Sequence, residues 1–100
     1  HGIGTADSDA AELAALENIF GTLPPLMAFK PQIGHTLGAT AALETALLLS
    51  ALKQGKSSDY QGREIRFSEC AASPKGGFFC LANQFGFGGS NTSLVWQWQP

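Results

Sequence analysis

Apolar residues at helical spacing predict a first helix near the start of the chain. The segment after residue 9 carries an apolar stripe at intervals of three and four, namely Leu13, Leu16, Ile19 and Phe20. Asp9, three residues before Glu12, is typical of the residue that caps a helix start. Gly21 favours the left-handed conformation that ends a helix. We therefore predict a helix over residues 9–20.

A second, more apolar segment predicts a longer helix over residues 37–54, with Gly55 as its stop. Leucines supply its core face, namely Leu43, Leu47, Leu48 and Leu52. Alanines on the other sides would let a neighbouring helix or sheet approach closely. Because apolar residues occur all round this helix, we expect it to be buried on more than one side.

Short apolar runs bounded by turn residues predict strands at residues 26–29, 65–67, 78–83 and 92–98. Residues 56–62 are polar and predict a loop, and residues 85–91 form a glycine-rich connection between the last two strands. The order of helices and strands indicates an α/β fold. Functional loops in such folds follow strands, so we expect a strand and further chain before His1.

Composition and charge exclude several classes of function. Hydrophobic residues make up 44% of the 100 residues and charged residues 14%, and the net charge is −2 without a basic run, which argues against nucleic-acid binding. No apolar run reaches the ~18 residues of a membrane span. Cys70 and Cys80 fit neither a disulfide framework nor a zinc motif, so we expect thiols in a reducing, cytoplasmic compartment.

The candidate chemistry lies in three glycine-containing segments. The chain has two histidines, one in His1-Gly2-Ile3-Gly4-Thr5 and one in Gly34-His35-Thr36-Leu37-Gly38-Ala39. The third segment is Asn83-Gln84-Phe85-Gly86-Phe87-Gly88-Gly89-Ser90-Asn91. Histidines on loops can bind a metal, act as acid and base, donate hydrogen bonds to an oxyanion, or serve only the structure. A metal would need a third ligand, and Glu44 lies about two and a half turns beyond His35, so we predict no metal site.

Two charged residues accompany the second histidine. Glu44 lies in an apolar helical segment, where a carboxylate needs a cationic partner, and Lys30 is the natural candidate. Alternatively, Glu44 points to solvent and Lys30 is a solvated residue at a strand end. In the third segment, the phenylalanines either fill the core or line an apolar channel beside a backbone N–H that points at an oxyanion.

Taken in order, these motifs resemble the C-terminal part of the β-ketoacyl-acyl carrier protein synthases, over essentially the whole chain. These are condensing enzymes of fatty acid and polyketide synthesis with a thiolase-like fold. The resemblance implies that residues 1–100 are a C-terminal segment with a mixed sheet and two main helices. It also implies that the N-terminal half of the fold, with the nucleophilic cysteine, lies elsewhere, so we expect the segment alone to be inactive.

The resemblance also implies roles for particular residues. His1 and His35 would hydrogen-bond the malonyl thioester oxygen during decarboxylation, with Lys30 and Glu44 organising the charge around them. The backbone N–H of Phe87 would help to form an oxyanion hole beside the acyl pocket. The remaining substrate contacts would come from Thr5, Phe85 and Gly86, with Thr5 near the phosphopantetheine arm.

The family further implies acyl carrier protein as a partner, no tightly bound cofactor beyond the phosphopantetheine carried by that partner, and a homodimer or a synthase heterodimer. One alternative is a non-catalytic partner subunit of the chain-length-factor type, against which the retained His1, His35 and Lys30 argue. A thiolase is a weaker alternative, because thiolases carry a second cysteine in their glycine-rich C-terminal motif and residues 85–91 contain none.

Overall fold

The computed structural model describes residues 1–69 and 77–99 of the chain. These residues divide into two compact units. The helical unit comprises Gly2–Phe67, and the hairpin unit comprises His1 together with the described residues from Ser68 onward.

The first helix, α1, spans Ala6–Phe20 and begins three residues before the predicted start. Thr5 is the N-cap in extended conformation, and its carbonyl accepts the Asp9 N–H at 3.0 Å. The prediction that Asp9 caps the helix is wrong, because the Asp9 carboxylate accepts the N–H of Gly4 at 3.1 Å instead. The predicted end at Gly21 is confirmed, since Gly21 has φ 72° and donates to the Glu17 carbonyl at 2.8 Å.

The strand predicted at residues 26–29 is wrong. The Tyr60 N–H donates to the Leu26 carbonyl at 2.9 Å, but no ladder of such bonds continues along this described segment. A strand needs that ladder to satisfy its backbone groups. The segment instead leads into a single-turn helix, α2, at Lys30–Ile33, where Pro31 occupies an early position that proline tolerates.

The long helix begins with a 3₁₀ turn at Leu37–Ala39 and continues as α3 over Thr40–Gln54. Its predicted end at Gly55 is confirmed, with Gly55 left-handed at φ 77°. The helical unit has a small core built mostly on one face of α3. The buried apolar residues of this core are Leu16, Leu48, Ala51, Leu52 and Phe67. Leu43 and Leu49 of the same helix remain exposed, so its apolar surface exceeds what this unit covers.

An antiparallel hairpin follows α3, with β1 at Lys56–Ser58 and β2 at Glu64–Arg66. The predicted second strand is confirmed to within one residue, but the polar loop predicted at residues 56–62 is wrong in its first half. Asp59 organises the turn, because its carboxylate accepts the backbone N–H groups of Gln61 and Arg63 at 2.9 and 2.8 Å. Local polar bonds of this kind make a hairpin where hydrophobic alternation is absent.

The last two strands, β3 at Phe78–Phe85 and β4 at Asn91–Trp98, pair antiparallel in unbroken register from Phe78↔Trp98 to Phe85↔Asn91. Both predicted strands are confirmed and are slightly longer than expected. A 3₁₀ turn at Phe87–Gly89 connects them. At the open end, a Cβ on Gly77 would overlap the Trp98 carbonyl oxygen, so the close approach there requires glycine.

The fold class is α/β, as predicted. The described strands form two antiparallel pairs, whereas the resemblance implies one mixed sheet. None of the helices in the described ranges combines the length and apolar character that crossing a bilayer would demand.

Candidate active site

Lys30 and Glu44 form a buried ion pair, which confirms the pairing predicted from sequence. Lys30 opens α2, and Glu44 lies in the second turn of α3. The Lys30 Nζ is 2.8 Å from the Glu44 Oε1, and the two side chains are 2% and 13% exposed. A charge-assisted hydrogen bond of this length compensates much of the desolvation of both groups. The pair therefore fixes a cation between α2 and α3, next to the loop that carries His35.

His35 follows Gly34, whose φ of 76° lets the chain turn sharply out of α2. Its Nδ1 accepts the backbone N–H of Leu37 at 3.0 Å. Leu37 makes this possible by adopting φ 52°, the one positive φ among the described non-glycine residues. That conformation costs about 1–2 kcal/mol for a leucine. Because Nδ1 is an acceptor, the hydrogen of the neutral ring lies on Nε2, which is thereby a donor.

Two threonines extend this arrangement. The Thr40 Oγ1 lies 3.1 Å from the His35 Nδ1, and the Thr36 hydroxyl donates to the Thr40 Oγ1 at 3.2 Å. Thr40 is the first residue of α3 and is only 4% exposed. Thr40 is not among the site residues predicted from the sequence. The available signal was a hydroxyl residue five positions after the histidine, within a run of small apolar residues.

The loop of the first motif is held by acidic residues of α1. The Gly2 N–H donates to the Glu12 Oε2 at 3.0 Å, and the Gly4 N–H donates to the Asp9 carboxylate, as described above. Gly2 has φ 53°, and a Cβ there would lie 2.8 Å from the Ala28 Cβ. Thr5 is exposed, and its hydroxyl makes no capping bond to α1. The backbone of this motif is thus tightly constrained while the Thr5 side chain faces solvent.

His1 belongs to the hairpin unit, where it packs against the end of β3. The Phe85 N–H donates to the His1 Nδ1 at 3.3 Å, and the two rings are 5.2 Å apart at 44°. The Gln84 Oε1 lies 3.4 Å from the same nitrogen. A backbone N–H can only donate, so the bond from Phe85 decides the role of this nitrogen. Nδ1 is then an acceptor, as in His35.

The glycine-rich turn places the remaining candidates at the tip of the β3–β4 hairpin. The Gly86 N–H donates to the Ser90 carbonyl at 2.9 Å, so it closes the turn. Phe87 projects a fully exposed ring, and Phe85 is half-buried. Phe87 therefore does not fill a core formed by the described residues, which was one of the two interpretations of this segment.

The other residues raised by the sequence contribute less. Cys80 is a half-buried thiol in β3, and Cys70 lies outside the described residues. Over residues 1–69 and 77–99, no three His, Cys, Asp or Glu side chains cluster as a metal site requires.

Comparison with known proteins identifies the family to which these motifs belong. The domain described as "Beta-ketoacyl synthase, C-terminal domain" matches residues 1–60. The chain belongs to this family. The match contains both histidine motifs, Lys30 and Glu44, and it establishes the ketoacyl synthase resemblance and the thiolase-like fold class.

Individual members of the β-ketoacyl synthase family are similar along nearly the whole chain. The 3-oxoacyl-[acyl-carrier-protein] synthase 1 of Haemophilus influenzae is 29% identical over 110 aligned residues, covering 97% of this chain and 26% of that protein. The enzyme of the same name from Escherichia coli K12 is 32% identical over 95% of this chain and 25% of its own length. The 3-oxoacyl-[acyl-carrier-protein] synthase 2 of Mycobacterium bovis is 33% identical over 95% and 25%. The chain thus spans about a quarter of the length of these relatives, and no solved structure matches it significantly.

Proposed function

We propose that this chain contributes the decarboxylation half of the active site in a β-ketoacyl-acyl carrier protein synthase. The observation that carries the proposal is the geometry of His35 within a ketoacyl synthase C-terminal domain. Its Nδ1 is engaged by the Leu37 N–H, which leaves Nε2 as a fixed hydrogen-bond donor. The similar proteins from Haemophilus influenzae and Escherichia coli are named 3-oxoacyl-[acyl-carrier-protein] synthases, which agrees with such chemistry.

The proposed reaction is a decarboxylative Claisen condensation. The C–C bond to the carboxylate of malonyl-acyl carrier protein breaks, CO₂ leaves, and the electron pair moves onto the thioester oxygen as an enolate. The Nε2–H groups of His1 and His35 stabilise that oxyanion. The enolate carbon then attacks the acyl thioester held on the cysteine of the synthase. The tetrahedral oxyanion, stabilised by the Phe87 N–H, collapses and expels the cysteine thiolate, leaving a product two carbons longer.

The Lys30–Glu44 pair, which joins the two helices on either side of the loop that carries His35, supports this chemistry. A buried cation favours negative charge that develops nearby, and its carboxylate partner keeps the resting site close to neutral. The pair also ties α2 to α3, the two elements that flank the loop. We propose that it acts on rate by fixing the position of His35.

Substrates would arrive on the phosphopantetheine arm of acyl carrier protein, with Thr5, Phe85 and Gly86 contributing contacts. We further propose that the working enzyme is a cytoplasmic dimer, built with the part of the fold that carries the nucleophilic cysteine. The segment by itself would be inactive in condensation, because this part of the family fold does not supply the nucleophile. Fatty acid and polyketide substrates both fit this proposal.

A non-catalytic partner subunit of the chain-length-factor type is the alternative. The intact Lys30–Glu44 pair and the donor geometry of His35 favour the catalytic role, since a subunit without chemistry has no need of either. The residue at the nucleophile position distinguishes the two, because cysteine supports catalysis and glutamine supports the partner role.

Replacing His35 with alanine in the full-length protein tests the proposal. We expect malonyl-acyl carrier protein decarboxylation to fall by about 10²- to 10³-fold, because one oxyanion donor is lost. Acyl transfer to the enzyme should remain largely intact, and each step is measured separately by product release and by acyl-enzyme formation. Gln54→Ala, an exposed change at the far end of α3, serves as the matched control. Equal loss of both steps would mean that His35 is structural.

A further inference from the structure

Two hydrogen-bond donors from different elements converge on one nitrogen of His35. The Leu37 N–H reaches the Nδ1 from the 3₁₀ turn, and the Thr40 hydroxyl reaches it from the first residue of α3. The separations are 3.0 and 3.1 Å. A single bond would hold the nitrogen but leave the ring plane able to swing. Two donors from two elements fix both the position of the nitrogen and the orientation of the ring.

The direction of the Thr40 hydroxyl follows from its other neighbour. The Thr36 hydroxyl donates to the Thr40 Oγ1 at 3.2 Å, so this oxygen is already an acceptor. The Leu37 N–H requires an unprotonated Nδ1, so the Thr40 hydroxyl hydrogen turns toward that nitrogen. The result is a directed relay from Thr36 to Thr40 to His35.

Burial makes this relay restrictive. Thr40 is 4% exposed, and a buried hydroxyl is stable only when hydrogen-bonded. A tautomer with the hydrogen on Nδ1 would point that hydrogen at the Leu37 N–H and would reverse the relay. The Leu37 N–H, which can only donate, therefore selects the tautomer with the hydrogen on Nε2, and the Thr40 hydroxyl stabilises that tautomer with a second bond to Nδ1.

We propose that Thr40, oriented by Thr36, is a positioning residue that stabilises the His35 tautomer favoured by the Leu37 N–H, holds the ring plane, and so keeps the Nε2–H aimed at the reacting oxygen. The proposal rests on the proposed function for the identity of that oxygen. The tautomer itself is a property of the unliganded protein and can be tested without any substrate.

The first measurement is the ¹⁵N NMR signature of the His35 ring in the full-length protein, assigned by its disappearance in His35→Ala. The wild type should show an unprotonated Nδ1 and a protonated Nε2. Thr40→Val, which keeps the shape but removes the hydroxyl, should shift population toward the Nδ1–H tautomer. Thr40→Ser, which restores a hydroxyl, should recover the wild-type signature.

The second measurement is malonyl-acyl carrier protein decarboxylation by the same variants. Loss of one neutral hydrogen bond predicts a fall in kcat on the order of fivefold for Thr40→Val, with KM unchanged and with recovery in Thr40→Ser. A wild-type tautomer and an unchanged kcat in Thr40→Val would overturn the proposal. If Thr40→Val does not fold, Thr36→Val tests the same relay from a more exposed position, and an unaltered His35 signature there overturns it equally.

The two proposals fail in different ways. A protein whose His35 tautomer shifts in Thr40→Val but whose wild type shows no decarboxylation would refute the proposed function and support the relay. A protein that decarboxylates normally but shows the same His35 tautomer in the wild type and in Thr40→Val would refute the relay alone.

Discussion

The Lys30–Glu44 pair shows how a single charged residue can be retained in an apolar setting. The lysine Nζ is removed from water, and the Glu44 carboxylate at 2.8 Å replaces part of the lost solvation. Such a pair adds little net stability compared with an apolar pair of similar volume. Removing one partner is costly, however, because the other charge stays buried.

Replacing Glu44 with glutamine tests this dependence. Glutamine still accepts a hydrogen bond from Lys30, but the compensating charge is gone. We expect the free energy of unfolding to fall by about 1–3 kcal/mol, less than a full buried-pair deletion because glutamine keeps that bond. Condensation activity of the full-length enzyme should fall as well. Denaturant unfolding and steady-state kinetics of the full-length protein measure the two effects.

Glu64→Gln is the matched control for that substitution. Glu64 pairs with Lys56 at 3.1 Å and with Arg66 at 2.9 Å, but all three side chains are about half exposed or more. Water screens both pairs, so their loss should leave stability and activity within experimental error. Wild-type kinetics in Glu44→Gln would contradict the proposed role of the buried pair.

At the residue scale, sequence predicted the groups that carry charge or a ring nitrogen but not the groups that position them. Lys30 and Glu44 were predictable because an isolated carboxylate in an apolar helix requires a cation. Thr40 and Gln84 were not predictable, because their roles depend on which atoms their hydroxyl and amide groups contact in the folded chain. The spacing of residues along the sequence does not determine those contacts. The unusual φ of Leu37 likewise has no sequence signature, since leucine rarely adopts it.

At the element scale, local side-chain bonds decide where elements begin and end. The C-terminal ends of α1 and α3 were predictable from Gly21 and Gly55, because a left-handed stop favours glycine. The start of α1 was not, because Asp9 could bond either the helix or the preceding loop. The β1–β2 hairpin was missed because the Asp59 turn, rather than apolar alternation, holds it together.

The Asp59 turn should be sensitive to acid. Burial tends to raise the pKa of the Asp59 carboxyl, but hydrogen bonds from the Arg63 backbone and guanidinium, and from the Gln61 N–H, outweigh it and hold the pKa below its usual range. A lowered folded-state pKa means that this stabilisation is complete above the unfolded value of about 3.9. It is lost as the pH falls through the folded value.

Amide hydrogen exchange of Gln61 and Arg63 in the full-length protein measures this effect. We expect protection to fall as the pH drops below about 4, after correction for intrinsic exchange. Asp59→Asn should weaken protection at neutral pH and remove its pH dependence. Glu17→Gln, an exposed carboxylate of α1, is the charge-matched control and should behave as wild type. Identical pH profiles for Asp59→Asn and the wild type would refute the prediction.

At the scale of the whole molecule, more large apolar side chains are exposed than buried among the described residues. Among the described residues, no large side chain is fully buried. The exposed set includes much of both faces of the β3–β4 hairpin, with Phe79, Leu81, Leu94, Val95 and Trp96. Contiguous apolar surface of this kind marks a region that another part of a protein covers.

The polypeptide of residues 1–100 should therefore aggregate or bind hydrophobic dyes when it is prepared alone. Val95→Lys, on a side chain that is 68% exposed, should raise its solubility without disturbing the described core. Light scattering and dye fluorescence give the comparison. A monomeric polypeptide with a reversible, cooperative unfolding transition would contradict this expectation.

The first two residues of the chain differ sharply in how far along the sequence their anchors lie. Gly2 is held by Glu12, ten residues away, whereas His1 is held by Gln84 and Phe85, more than eighty residues away. By loop-closure entropy, the longer connection costs about 2 kcal/mol more to form. During folding, the backbone of the first motif can therefore become ordered together with α1. His1 can take up its position only after β3 has formed and come close in space.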